Sequence, residues 1–417
     1  MAIPNPIALT RMLSPVQRRT FIAAFLGWTL DAFDFFLVTF VLIDIAKDFH
    51  KDRVTVAFLI TLTLMLRPLG ALIFGLLADR FGRRGPLMIN IVLYSFLELL
   101  SGFAPNFTVL LILRGLYGIA MGGEWGVGAA LALESMPAEA RGFFSGLLQE
   151  GYATGYLLAA VAFFFVYPHF GWRGMFFVGA LPALLVVYIR FQVPESDAWK
   201  AQKAKKTGQV GDLWQSFLVQ PGLFIYAIIL MAAFNFMSHG SQDLYPTFLR
   251  AQHHFGVGQV TSLAIIANVG AILGGMIFGA ISQGWGRRRS IITSALLGIF
   301  AIPLWVFAPT TALLALGAFI LQFFVQGAWG IVPVHLNELS PGEVRGTFPG
   351  FTYQLGNLIS AGAVQIETAF AKNTFPLPGG EADYAKALAI IMVVVFVAVA
   401  VITALGKERR GIDFASD

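Results

Sequence analysis

The chain reads as an all-α integral membrane protein: twelve transmembrane helices in two six-helix bundles, with a central cavity between the halves. Three observations predict this. Of its 417 residues, 57% are hydrophobic and only 12% are charged, against about 25% charged in an ordinary soluble domain. Apolar runs of about 20 residues, each able to span a hydrocarbon core of roughly 30 Å, recur along the chain. Motifs of the first half return in the second at one fixed spacing. A soluble enzyme, a disordered chain and a fibrous one are excluded, because no aqueous core absorbs so much apolar surface. There is no cysteine, so neither a disulfide framework nor a thiolate metal site exists.

Spans 1 to 12 fall at residues 20–46, 54–79, 86–104, 107–133, 143–167, 172–192, 220–249, 258–283, 290–308, 311–336, 347–370 and 385–406. The one long polar connection, 193–219, holds Lys200, Lys203, Lys205 and Lys206. It parts an N-terminal bundle (1–192) from a C-terminal bundle (220–417). Lys and Arg stay preferentially on the cytoplasmic side. With the N-terminus inside, nineteen of the 28 fall on that side and seven opposite, with Arg67 and Arg114 inside spans. Both termini are therefore expected in the cytoplasm. The net charge of +5 is then a topology signal and not a nucleic-acid footprint. Span 1 follows three arginines as a signal peptide would. It is too long and lacks a small-residue cleavage site, so it is expected to be retained.

The repeat is exact in spacing. Gly75–Arg84 recurs at Gly279–Arg288, Gly123-Glu-Trp-Gly126 at Gly327-Ala-Trp-Gly330, and Pro137-Ala-Glu-Ala-Arg-Gly142 at Pro341-Gly-Glu-Val-Arg-Gly346, each offset by 204. Two bundles related by an axis along the membrane normal, with a site between them near the midplane, follow. The Gly-x-x-x-Asp-Arg-x-Gly-Arg-Arg loop after span 2 resembles the signature of the major facilitator superfamily. Its logic is a short turn at Gly82 pinned by Asp79 and by arginines such as Arg83, which pair carboxylates or helix C-termini across the bundles. Arg141 and Arg345, equivalent across the repeat, join this gating set. Gln283 replaces Asp79 in the second copy, so a symmetrical ion-pair latch is not expected.

An ionisable residue inside a span costs several kcal/mol and is a functional candidate by default. The repeat sorts these residues. It sets Asp31 opposite Asn235, Asp34 opposite Ser238, Arg114 opposite Ala318, Glu124 opposite Ala328 and Glu150 opposite Gln354. The framework repeats and these charges do not, as a site for one asymmetric ligand requires. Arg67 and Glu98 read as bundle supports.

Span 7 is the most informative. Asn235, Ser238, His239, Gln242 and Asp243 fall within roughly 140° at 100° per residue. Such a stripe faces a cavity or another helix, never lipid. Pro246 removes the hydrogen bond to the Gln242 carbonyl and predicts a kink. The stretch matches Asn-x-x-Ser/Thr-His-x-Ser/Thr-Gln-Asp-x-x-x-Thr through Thr247. It thereby resembles the Jen-type lactate/pyruvate:proton symporters within the sialate:proton symporter family. That resemblance implies a short monocarboxylate carried with a proton, recognition and coupling on Asn235, His239, Gln242 and Asp243, no cofactor beyond the coupling proton, and a functional monomer. The chain is shorter than fungal members, which implies a prokaryotic relative in an inner (plasma) membrane.

Span 4 offers a complementary charge. Arg114 is followed by Gly118, Gly122 and Gly126 at helical spacing, resembling the superfamily's span-4 motif. A buried guanidinium presents a fork matched to a carboxylate, so Arg114 is the expected anchor of the substrate anion. Glu124, in a Gly-Gly-Glu-Trp-Gly stretch, is expected to act in conformational change. In span 11, Gln354 beside Tyr353 both donates and accepts hydrogen bonds, which suits a hydroxy or keto acid. Asp31, Asp34, Glu150 and Asp243 are the proton-coupling candidates. A carrier of sialic acid or another organic anion, and a non-transporting sensor, are the competing readings. No His-Glu-x-x-His, Gly-x-Ser-x-Gly or phosphate-binding loop is present, which argues against an enzyme or an ATP-driven pump.

Overall fold

The computed structural model describes residues 6–204, 210–377 and 382–414. Lys205 and Lys206 of the long connection lie outside them. Among the described residues there is no β-strand, only an isolated bridge between Pro376 and Ala382. Nine stretches are long and apolar enough to cross a membrane by composition alone. One of these, Arg141–Gln192, is two crossings that turn at Gly171, whose φ of 61° suits glycine. Two further crossings fall short of that standard: Pro15–Asp48, and Phe348–Ser360 continued by Ala363–Thr374. These carry Asp31, Asp34, Tyr353 and Gln354. Polarity that weakens the membrane signal coincides here with candidate function.

Local chemistry sets the helix ends. Asp52, Asn106 and Thr310 each accept a hydrogen bond from the backbone N–H three residues on, at 2.9, 2.9 and 3.3 Å, which satisfies a free donor of the first turn. Span 7 stops at Gln242 and resumes at Tyr245–Gln252, because Pro246 supplies no N–H to the Gln242 carbonyl. Span 4 likewise breaks between Met121 and Glu124, and span 10 between Trp329 and Val332.

Small residues let backbones touch. Gly118 and Gly122 of span 4 lie against the backbone of Thr63 and Arg67 in span 2, and Gly270 and Gly274 of span 8 against Phe319 and Phe323 in span 10. The two halves meet in the same way: Gly126 faces Gly350, Gly142 faces Gly279, and Gly146 faces Gly275. Ser145 Oγ donates to the Gly330 carbonyl (2.7 Å) and accepts from Val334 N–H (3.0 Å). Spans 5 and 8 touch through the Arg141–Gln149 part of span 5, and spans 2 and 11 through Phe348–Ser360. These parts lie toward the face that bears both chain ends, the terminal face, and the halves are sealed there.

A leucine at Gly146 would drive its side chain into the Gly275 backbone and force spans 5 and 8 apart. A cysteine introduced at Val334, fully buried at this crossing, is then labelled by a membrane-impermeant maleimide at least tenfold faster in Gly146→Leu than in the otherwise unchanged chain. Equal labelling rates would show that the seam does not hold the seal.

Candidate functional site

The gate comes first, because it fixes where the cavity ends. Gly82 and Gly286 hold φ values of 100° and 99°, a backbone conformation side chains resist, so each loop turns on its glycine. Asp79 Oδ1 accepts from Arg83 Nη1 (3.1 Å) and from Gly346 N–H of the other half (2.7 Å), and its Oδ2 accepts from Thr347 Oγ1 (2.6 Å). Arg83 also donates to Glu134 (2.8 Å). In the second copy Arg287 forks onto Glu338 through two bonds of 2.9 Å. Gln283 Oε1 there accepts from Gly142 N–H at 3.1 Å. The loss of Asp79's charge at Gln283 therefore does not break the symmetry of the latch. Gly142 and Gly346 are equivalent donors, and an amide oxygen accepts from that N–H as a carboxylate does. The connection after span 6 docks onto this gate: Glu195 accepts from Arg83 and Arg84 N–H (2.9 and 3.1 Å), and Trp199 Nε1 donates to the Asp79 carbonyl (2.8 Å). Nothing in the sequence marks that docking.

A second group of charges lies inside the N-terminal bundle. Arg114 is 1% exposed, sits 2.5 Å from Glu98 and stacks 3.8 Å over the Tyr117 ring. Glu98, read from the sequence as a bundle support, is the carboxylate that Arg114 meets in this structure, between spans 3 and 4. Asp34 is buried beside this pair, and neither its oxygens nor those of Glu124, packed against Gly27, have a hydrogen-bond partner among the described residues. Glu150 reaches the other half: any side chain at Gly275 would overlap its Oε1.

The third group faces the space between the halves. Arg67, read from the sequence as a support, donates through Nη2 to Asp31 Oδ2 at 3.1 Å. Tyr152 of span 5 and Tyr353 of span 11 both lie within electrostatic range of Arg67 and Asp31, and of one another. The Tyr353 ring is wedged between Trp125 (4.7 Å) and Trp329 (5.8 Å), and Tyr152 stacks on Trp28 at 5.6 Å. Trp125 and Trp329 are equivalent across the repeat and form the floor of the cavity. They stood in plain view inside the repeated Gly-x-Trp-Gly.

Span 7 supplies the opposite wall. Asn235 is 3% exposed and donates one of its two amide hydrogens back to its own helix at the Met231 carbonyl (2.8 Å). Farther from the terminal face, His239 Nδ1 lies 2.9 Å from Asp243 Oδ2, with side chains 33% and 37% exposed. His239 Nε2 faces Asn357 Oδ1 at 3.5 Å, and Asn357 Nδ2 faces Gln354 Oε1 at 3.5 Å. Gln354 Nε2 has no hydrogen-bond partner among the described residues. Gln242 donates to Gln322 (3.1 Å), which in turn donates to Ser241 (3.0 Å). Glu367, an intraspan charge the motif did not absorb, joins the His239–Asp243 pair by electrostatic range. On the polar stripe of span 7, Asn235 is buried whereas Gln242 and Asp243 are exposed.

Two pseudo-symmetric helical bundles that close on each other at one end, with polar and charged side chains buried inside them, are the build of a membrane carrier of the alternating-access type. The chain belongs to the Major Facilitator Superfamily, whose profile matches residues 21–364. A carboxylic acid transporter protein homolog of Saccharomyces cerevisiae is 32% identical, over 99% of this chain and 71% of its own length. The sialic acid transporter NanX of Escherichia coli is 30% identical, over 83% of this chain and 85% of its own. The solved structure of the proton:xylose symporter XylE bound to 6-bromo-6-deoxy-D-glucose shares the fold, with a TM-score of 0.75 over 95% of this chain and 97% of that one at 19% identity. The chain is a multi-pass membrane transporter and not an enzyme.

Removing Arg114 alone leaves Glu98 buried without its counter-charge, a defect of about 3–5 kcal/mol. Arg114→Met therefore lowers the midpoint of thermal unfolding in detergent, and the double variant Arg114→Met/Glu98→Gln regains most of it. A double variant as unstable as the single one would mean that the two residues act independently.

Proposed function

We propose that this transporter is a proton-coupled symporter of a small monocarboxylate such as lactate or pyruvate, with Arg67 as the anchor of the substrate anion. The observation that carries the reading is the Arg67–Asp31 pair placed between the halves. The substrate carboxylate takes Asp31's place on the guanidinium once a proton has neutralised Asp31. Tyr152 and Tyr353 flank that position from opposite halves, and Gln354 Nε2, Asn357 and His239 offer hydrogen bonds to the oxygen on the substrate's second carbon. The similarity to a carboxylic acid transporter homolog over nearly the whole chain supports this substrate class.

Charge balance then enforces the coupling. The empty carrier holds Asp31 ionised against Arg67 and is neutral at that pair. The fully loaded carrier holds neutral Asp31, Arg67 and the bound anion, and is neutral too. With only the proton or only the anion aboard, the pair carries a net charge that the closing, low-dielectric cavity disfavours. One proton crosses with each monocarboxylate, and the transport is electroneutral. We assign the terminal face to the cytoplasm on the Lys and Arg distribution, and the carrier to the plasma membrane, a prokaryotic inner membrane. Each chain holds a whole cavity and gate, so a monomer suffices.

The test is uptake of radiolabelled L-lactate into proteoliposomes, with and without an inward proton gradient, against excess pyruvate, acetate and sialic acid. Gradient-driven lactate uptake is expected, reduced at least a hundredfold in Arg67→Ala. Sialic acid accumulation in place of lactate would overturn the substrate class. Asp31→Asn leaves Arg67 charged whenever the site is empty. That variant is expected to retain lactate exchange across the membrane and to lose net accumulation. Accumulation that survives in Asp31→Asn would show that the proton rides elsewhere.

A further inference from the structure

We propose that the segment after span 12, residues 406–414, is a strap that holds the terminal face shut, with Phe414 as its pin. The segment leaves the C-terminal bundle at Gly406 and stays on that bundle first. Glu408 accepts from Arg288 N–H (3.0 Å), Arg410 Nη1 donates to the Gly284 carbonyl (2.6 Å), and Gly411 N–H donates to Glu338 Oε1 (3.0 Å). It then crosses to the other half. Arg141 of the N-terminal bundle donates to the Ile412 carbonyl at 2.7 Å, and Arg345 of the C-terminal bundle donates to the Phe414 carbonyl at 3.1 Å. The Phe414 ring lies between the same two guanidiniums, 3.7 Å from Arg141 and 4.3 Å from Arg345. It is 1% exposed.

Arg141 and Arg345 are equivalent positions of the repeat, one in each half. Brought together they would repel. The aromatic face and the two backbone carbonyls between them turn that repulsion into a bridge, because a guanidinium is attracted to a ring face and to a carbonyl oxygen. The bridge exists only while the halves are closed at this end. Opening the terminal face separates Arg141 from Arg345, and Phe414 then keeps one guanidinium at most. The strap thus contributes to the sealed state and not to the open one, which is what biases a two-state equilibrium. The connection after span 6 is its counterpart in chain order: Glu195 and Glu408 accept backbone N–H groups of Arg84 and Arg288, equivalent residues of the two gate loops.

The absence of native cysteine makes the test direct. Spin labels are attached to cysteine pairs across the terminal face, at Ala138 with Trp285, and the distance distribution is read by pulsed electron resonance. Phe414→Ala is expected to move the ratio of sealed to open populations about tenfold toward open, as loss of two cation–π contacts would. Phe414→Trp, which keeps a ring face, retains the sealed population. A synthetic peptide of residues 406–417 added to a chain truncated after Leu405 restores it. Unchanged distances in Phe414→Ala, in protein whose unfolding midpoint matches wild type, would overturn the proposal. So would a Phe414→Trp variant as open as the alanine variant, or a peptide without effect.

Discussion

Charge held in a low-dielectric interior has to be balanced inside the unit that moves with it. Ionised groups left single there cost several kcal/mol, and a carrier that rocks its two bundles would pay that cost on every cycle if a pair were split between them. In the N-terminal bundle both span arginines are paired within the same half: Arg114 meets Glu98 and Arg67 meets Asp31. In the C-terminal bundle His239 meets Asp243, again within one half. No pair among these needs to be broken for the halves to part.

The contact between the halves obeys the same rule from the other direction. Where spans 5 and 8 cross it consists of glycines and backbone groups with the Glu150 carboxyl on Gly275, and Ser145 bonds span 10 beside it. Backbone hydrogen bonds and glycine faces are re-hydrated at modest cost when a seam opens, whereas buried charges are not re-paired so cheaply. The charged latches, themselves buried, sit in the loops of the terminal face. There, Asp79 and Gln283 accept the same backbone N–H in the two halves. This face therefore tolerates a change of charge at one copy while conserving the hydrogen bond, and a reading of the repeat by residue type alone overstates the asymmetry.

The framework was legible in the sequence because it is written as periodicity. Span number, the 204-residue repeat, the break at Pro246 and the polar stripe of span 7 all follow from spacing, and the glycine seams from residues four apart. Which cation meets which carboxylate was not legible. Arg67 and Arg114 both lie in spans, and their partners depend on the rotation and depth of helices 2 to 4 relative to span 1, which no single span encodes. Arg114 carried the stronger motif and meets Glu98, whereas Arg67, with Pro68 as its only neighbouring signal, meets Asp31 within electrostatic range of Tyr152 and Tyr353. Tyr152 carried no signal at all, since one tyrosine among many aromatics is invisible until the fold sets it opposite Tyr353.

The division of labour between the halves follows from the ligand. A molecule with one charge and one or two neutral oxygens needs one counter-charge and several hydrogen-bonding groups, and no second cation. The N-terminal half supplies Arg67 with its displaceable Asp31. The C-terminal half presents Gln354, Asn357, His239 and the Gln242–Gln322 relay, groups that donate and accept without demanding charge compensation. Had the repeat stayed symmetric, positions 235 and 271 would hold a second aspartate and a second arginine, the equivalents of Asp31 and Arg67. They hold Asn235, which bonds to its own helix, and Ala271. Loss of symmetry at both positions leaves one buried Arg–Asp pair of this kind, in the N-terminal half, the complement of the single anion proposed above.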